Sequence, residues 1–129
     1  MTHKLDAAVA EALGREVTWQ RKVRTGGRRT KLAYVYYACS PDDKFAQLFY
    51  AGTDAEVPKF HKDGNAMLEL DVVMRGLGWI LLVFYAGVYC ANYHNEKDVE
   101  IEFPAEANTM PKAVARAAYY VLTGKEWGG

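Results

Sequence analysis

The sequence predicts an α+β fold: a single domain, residues 1–129, with an antiparallel or mixed β-sheet held between helices in a helix–sheet–helix sandwich. Three observations predict it. Gly78 to Gly87, GWILLVFYAG, is an apolar run without charge or alternation, as a central strand covered on both faces requires, because side chains alternate across the pleat. An amphipathic helical pattern stands immediately before it, in Ala66 to Leu77. The links between successive strand patterns are of hairpin length, which makes neighbouring strands antiparallel.

Taken in order, a helix is expected from about Lys4 to Leu13, with Leu5, Val9, Ala12 and Leu13 on its apolar face, Asp6 and Glu11 away from it, and Gly14 as its stop. Two strands follow, Val17 to Arg24 and Thr30 to Ala38, joined through Thr25-Gly26-Gly27-Arg28-Arg29 as a hairpin with a basic tip. The second is aromatic and β-branched at both parities, which predicts cover on both faces. Ser40-Pro41-Asp42-Asp43 has the chemistry of a helix start, so a brief helical turn is expected through Phe45 to Leu48. Tyr50 to Gly64 reads as an irregular loop. Asp63 is placed to cap a helix over Asn65 to Leu77, with Met67, Leu70, Val73, Met74 and Leu77 at helical spacing. The strand Trp79 to Ala86 turns at Gly87 into Val88 to Tyr93. In the next strand, Val99 to Phe103, Val99, Ile101 and Phe103 alternate with acids, the mark of one wet face near a sheet edge. Asn108 or Thr109 caps a final helix with Pro111 in its first turn, an apolar stripe of Val114, Ala118, Val121 and Leu122, and Gly124 at its end.

Sixteen basic residues balance sixteen acidic ones and half of the chain is hydrophobic, which excludes disorder and argues against a strongly basic nucleic-acid binder. The balance conceals two poles. Arg15 to Lys31 carries seven basic residues against Glu16, and Glu96 to Glu106 carries five acids against Lys97. Cys39 and Cys90 have no further Cys or His at zinc-ligand spacing, so they read as buried free thiols and no metal or cofactor is expected. No apolar leader opens the chain and no segment reaches the roughly eighteen apolar residues that span a bilayer, which places the protein in a reducing cytoplasm, away from membranes.

The helix DAAVAEALG, the stretch SPDDKFAQLFYAGTDAEVPKFHKDGNAMLELDVVMRGLGW and the closing NTMPKAVARAAYYVLTG together resemble the phage ABA sandwich domain, a family of small bacteriophage proteins. The shared pattern is a polar, Pro-containing lead-in, a helix with Asn and Met near its start, a Gly-Trp step into the strand pair, and a late helix opening Pro-x-Ala. The basic hairpin Val17 to Lys31 matches least. The resemblance implies a helix–sheet–helix sandwich of phage or prophage origin, which makes the expected cytoplasm that of the host, and it implies no activity.

Three clusters are candidate binding elements. Arg24, Gly26, Gly27, Arg28 and Arg29 combine guanidinium groups, which grip phosphate in a bidentate way, with glycines whose backbone N–H groups can approach an anion; the plainer reading is a solvated turn. His61 and Asn65 flank a helix N-terminus, where unpaired N–H groups attract anions, although capping by Asp63 or Asn65 accounts for the same residues. Asn92 and Tyr93 could hydrogen-bond and stack on a base, or belong to a turn. Nine tyrosines, many on predicted strands, suit interfaces as well as cores and lead to an expected symmetric dimer.

No catalytic constellation stands out. The preferred reading is a phage accessory protein that sequesters a small anionic or nucleotide-like ligand, such as a host immune signal, without chemistry. A module that occupies a host or defence protein is the alternative, and a nucleotide hydrolase using Asp42 with Asp43, or Asp63 with His61, is a third.

Overall fold

The computed structural model of the chain describes residues 3–26 and 33–128. It is an α+β structure of three helices and two antiparallel three-stranded sheets, and it divides into two compact units: residues 15–57, and residues up to Gly14 together with 58–129. Gly27, Arg28 and Arg29, the core of the expected basic tip, lie outside the described residues.

In the unit 15–57, β1 (Val17–Thr25) runs between β2 (Ala33–Ala38) and β3 (Gln47–Tyr50). Val23 faces Val35 across one pairing and Trp19 faces Leu48 across the other. Gly26, at φ 105°, ends β1 in a conformation open to glycine. Two expectations are corrected here. All six residues of β2 are exposed rather than covered, because among the described residues the element it packs extensively against is its ladder partner β1, which covers neither face. The helical turn expected at Phe45 to Leu48 is instead a turn closed by the Ala46 N–H on the Asp43 carbonyl, followed by β3, whose Leu48 and Phe49 are buried. Asp43 is held in place by Arg21, Nη1 to Oδ2 3.2 Å. Tyr36 meets Phe49 edge-on, with centroids 5.2 Å apart.

In the other unit, α1 (His3–Ala12) and α2 (Gly64–Gly76) precede the sheet β4 (Trp79–Tyr85), β5 (Tyr89–Asn95) and β6 (Glu102–Ala107), and α3 (Met110–Thr123) follows it. The strand order is β4-β5-β6. α2 lies within one residue of its expected bounds at each end because Asp63 caps it as expected, its side chain accepting the Asn65 N–H at 2.9 Å. α3 starts at Thr109 with Pro111 in the first turn and ends at Gly124, whose φ of 74° is the left-handed stop. Tyr93 and Phe103 face the helices: the Tyr93 hydroxyl donates to Asp71 Oδ1 of α2 at 3.3 Å, and the Phe103 ring packs edge-on against Tyr120 of α3 at 4.9 Å. The core lies on this face, built from Leu5 and Val9 of α1, Leu70 and Met74 of α2, Ala91 and Tyr93 of β5, and Val114 and its alanine neighbours of α3.

The strand Gly78 to Ala86 is not central and not covered on both faces. It is the edge strand β4, and exposure alternates along it: Ile80, Leu82 and Phe84 are 51, 52 and 52% exposed while Leu81 and Val83 turn toward the helices. The residues of the third strand are also displaced from expectation. Val99 and Ile101 lie exposed ahead of β6, which runs on through Pro104 to Ala107. Pro104 is tolerated because β6 is the opposite edge of the sheet, where an outward position needs no N–H. On α1, Asp6 is buried beside Leu5 instead of lying away.

Candidate functional site

Pairing across β4, β5 and β6 puts residues of one parity on the face opposite the helices. Ile80, Leu82 and Phe84 of β4 stand beside His94, Asn92 and Cys90 of β5, which stand beside Glu102, Pro104 and Glu106 of β6. The open face therefore has three columns: apolar, polar and acidic. The acidic column is braced from β5, with Asn92 Nδ2 donating to Glu102 Oε2 at 3.1 Å and His94 Nδ1 3.6 Å from the same oxygen. The Asn92 amide oxygen is buried without a partner, an acceptor left unpaired at the centre of the face. A buried orphan acceptor costs about 1–3 kcal/mol.

A second feature is a groove of about 390 Å³ along β6 and α3, walled by Pro104, Ala105 and Glu106, by Arg116 and Tyr120, and by Glu126 and Trp127 beyond the helix. Arg116 donates from Nη1 to the Glu106 carbonyl at 2.7 Å, and its Nε is buried without a partner. Trp127 is steadied by Tyr119, rings edge-on at 5.3 Å. One guanidinium between two carboxylates leaves the groove short of positive charge for a phosphate, while its two aromatic rings suit a flat ligand.

The third is a buried polar pair that sequence reasoning missed. Asp6 of α1 accepts the His61 backbone N–H through Oδ1 at 3.0 Å, and its Oδ2 lies 2.6 Å from His61 Nδ1. Both side chains are nearly closed to solvent. Burial raises the Asp6 carboxyl to about 7 and, with Lys62, Lys112 and Lys59 adding to it, lowers the His61 imidazole. The His3 ring stands edge-on to His61 at 5.5 Å. The only sequence signal was Asp6 inside an otherwise apolar arc of α1.

Within the unit that holds the β4-β5-β6 sheet, His61, Asn65, Asn92 and Tyr93 do not form one site. Arg24 is exposed on β1 and Gly26 follows it, in the 15–57 unit. His61 is engaged by Asp6, Asn65 is exposed on the first turn of α2, and Asn92 lies on the open face. Tyr93 is fully buried on the helix side, where burial and the Asp71 carboxylate hold its hydroxyl above the usual range, so its ring is closed to a base. Cys39 and Cys90 are free thiols and half-buried, not buried. Among the described residues no group of three or more His, Cys, Asp or Glu side chains converges as a metal site, and no helix is long and apolar enough to cross a membrane. No protein-family model, curated protein or solved structure matches this chain.

Proposed function

We propose that this chain is a small non-enzymatic binding protein, a phage accessory module, that occupies another protein through the open face of the β4-β5-β6 sheet. The observation that carries this reading is the uncovered column Ile80, Leu82 and Phe84, three large apolar side chains left in water beside an orphan acceptor. The acidic column defines the partner's chemistry: an apolar ridge flanked by Lys or Arg that reach Glu102 and Glu106. Opposite charges at the rim steer encounter, and the apolar column supplies the buried centre. A partner helix laid there would complete the helix–sheet–helix sandwich that the sequence leads one to expect. The test is comparative capture from host extracts with the parent, with Leu82→Asp and with Glu102→Lys/Glu106→Lys. A protein retained by the parent and lost from both variants supports the reading; identical retention by all three overturns it.

A second reading, sequestration of a nucleotide-like ligand, draws support from the groove, where Tyr120 and Trp127 can stack on a base and Arg116 can hydrogen-bond it. Stacking on an aromatic side chain contributes about 1–3 kcal/mol per base. A thermal-shift screen with cyclic dinucleotides and ADP-ribose derivatives, followed by recovery of the ligand from heated protein, tests it: a shift lost in Trp127→Ala with intact ligand recovered supports sequestration, and no shift refutes it.

A further inference from the structure

The two edges of the β4-β5-β6 sheet are built differently. The Ala86 N–H donates to the Val88 carbonyl at one end of the β4–β5 ladder and the Glu96 N–H donates to the Gly78 carbonyl at the other. In an antiparallel pair a residue directs both backbone groups to the same side, so Ile80, Leu82 and Phe84 bond to β5 while Trp79, Leu81, Val83 and Tyr85 direct theirs outward. That edge carries no charge, no proline and no bulge, the devices that ordinarily blunt an edge strand. At β6 such devices are present. The Asn95 N–H bonds to the Ile101 carbonyl, so Glu102, Pro104 and Glu106 face outward; Pro104 has no N–H to offer, and the Glu106 carbonyl is already taken by Arg116.

We infer that the bare edge of β4 pairs with β4 of a second copy of this chain, antiparallel and centred on Leu82. The seven residues Trp79–Tyr85 are self-complementary in that register. Trp79 meets the partner's Tyr85 and Leu81 meets the partner's Val83, so every outward N–H and C=O finds its counterpart across the two-fold axis, with Leu82 facing its own copy. An uncharged strand is what a two-fold axis demands, since any charge at its centre would meet itself. An independent observation points the same way. On α2, Asp71 lies on the flank that reaches Tyr93 of β5, and the opposite flank, on the side of the free edge, exposes Val73 and Leu77 at 46 and 57%. Two copies joined at β4 bring these apolar flanks together and turn two apolar columns into one continuous strip. The inference goes beyond the docking reading and rests on backbone groups that reading does not use.

The test uses the full chain. Sedimentation of the parent at tens of micromolar should give a dimer mass. In a Cys39→Ser/Cys90→Ser background, Leu82→Cys should cross-link to a covalent dimer under a disulfide oxidant, because facing residues in a non-hydrogen-bonded antiparallel pair stand within disulfide reach. Ile80→Cys, which faces Phe84 of the second copy, should cross-link at least about tenfold more slowly. Leu82→Lys and Leu82→Glu should each be folded monomers by circular dichroism, and an equimolar mixture should recover the dimer mass. A monomeric parent, equal cross-linking of the two cysteine variants, or a mixture that stays monomeric overturns the pairing. A monomeric parent that still captures a Glu102/Glu106-dependent partner would remove the pairing and leave the docking reading in place.

Discussion

The Asp6 carboxylate grips His61 at two points, its backbone N–H at 3.0 Å and its ring Nδ1 at 2.6 Å, and so fastens the first helix to the segment ahead of α2, 55 positions along the chain. Two buried groups that both resist charge share a proton along that short line. Burial raises Asp6 to about 7 from an ordinary carboxylate value, so its contribution to stability is complete below about pH 4 and is lost as pH rises through about 7. His61 is lowered, so its own contribution is complete above about pH 6.5 and is lost as pH falls.

Asp6→Asn should therefore change the shape of the stability profile. The amide oxygen can still accept the His61 N–H and the amide nitrogen can donate to Nδ1, but the carboxyl titration is gone. Relative to the parent, Asp6→Asn should gain stability between about pH 4 and pH 7, at up to about 1.4 kcal/mol per pH unit. Calorimetry at pH 4, 5.5 and 7.5 measures this, and parallel profiles would refute it. Asp6→Ala, which strands the His61 groups in the interior, should cost about 1–3 kcal/mol or more.

Leu82→Ala, which would cost about 2–5 kcal/mol in a covered strand, should cost only about 1 kcal/mol in an isolated protomer because half of the side chain is already in water and no closed cavity is left. Leu70→Ala on α2, at a position 1% exposed, should fall in the larger range. Denaturant unfolding at dilute protein concentration compares the two.

Tyr93→Phe removes a donor from Asp71, whose other oxygen is 3.4 Å from Arg75 Nε. The expected loss is about 1–3 kcal/mol, with the sheet still packed on α2. An unchanged denaturation midpoint would mean that the buried hydroxyl contributes nothing.

Gly124→Ala isolates a backbone effect, because a methyl group there would meet no atom within 4 Å and only the φ of 74° opposes it. The cost should be about 1–2 kcal/mol in thermal unfolding.

Helix ends were legible in the sequence because their causes are local. Asp63 caps α2 through a residue two positions away, and Gly124 stops α3 through its own dihedral angle. The coverage of GWILLVFYAG was not legible. Leu81 and Val83 meet helices whereas Ile80, Leu82 and Phe84 meet water, and the same apolar letters serve either a core or a surface awaiting contact. Asp6 was misplaced for a related reason: its spacing from Val9 and Leu13 puts it on the apolar arc, but a carboxylate is assigned to solvent unless its partner is known, and His61 is far away in sequence. Tyr93 read as available to a base because position in a strand gives alternation without stating which side the helices occupy. Only the packing of α2, which brings Asp71 to the Tyr93 hydroxyl, supplies that.

Pro104 bears on stoichiometry. A sheet with two receptive edges can keep recruiting copies without end, and that route leads toward fibrils. Here one rim ends in a residue with no amide hydrogen to give, next to a carbonyl that Arg116 has taken. In the proposed dimer, pairing through β4 uses up the one receptive rim of the β4-β5-β6 sheet in a single event, so this sheet would recruit no third copy. The missing hydrogen on one proline nitrogen would thus close this sheet to further pairing, acting from the edge opposite the one proposed to pair.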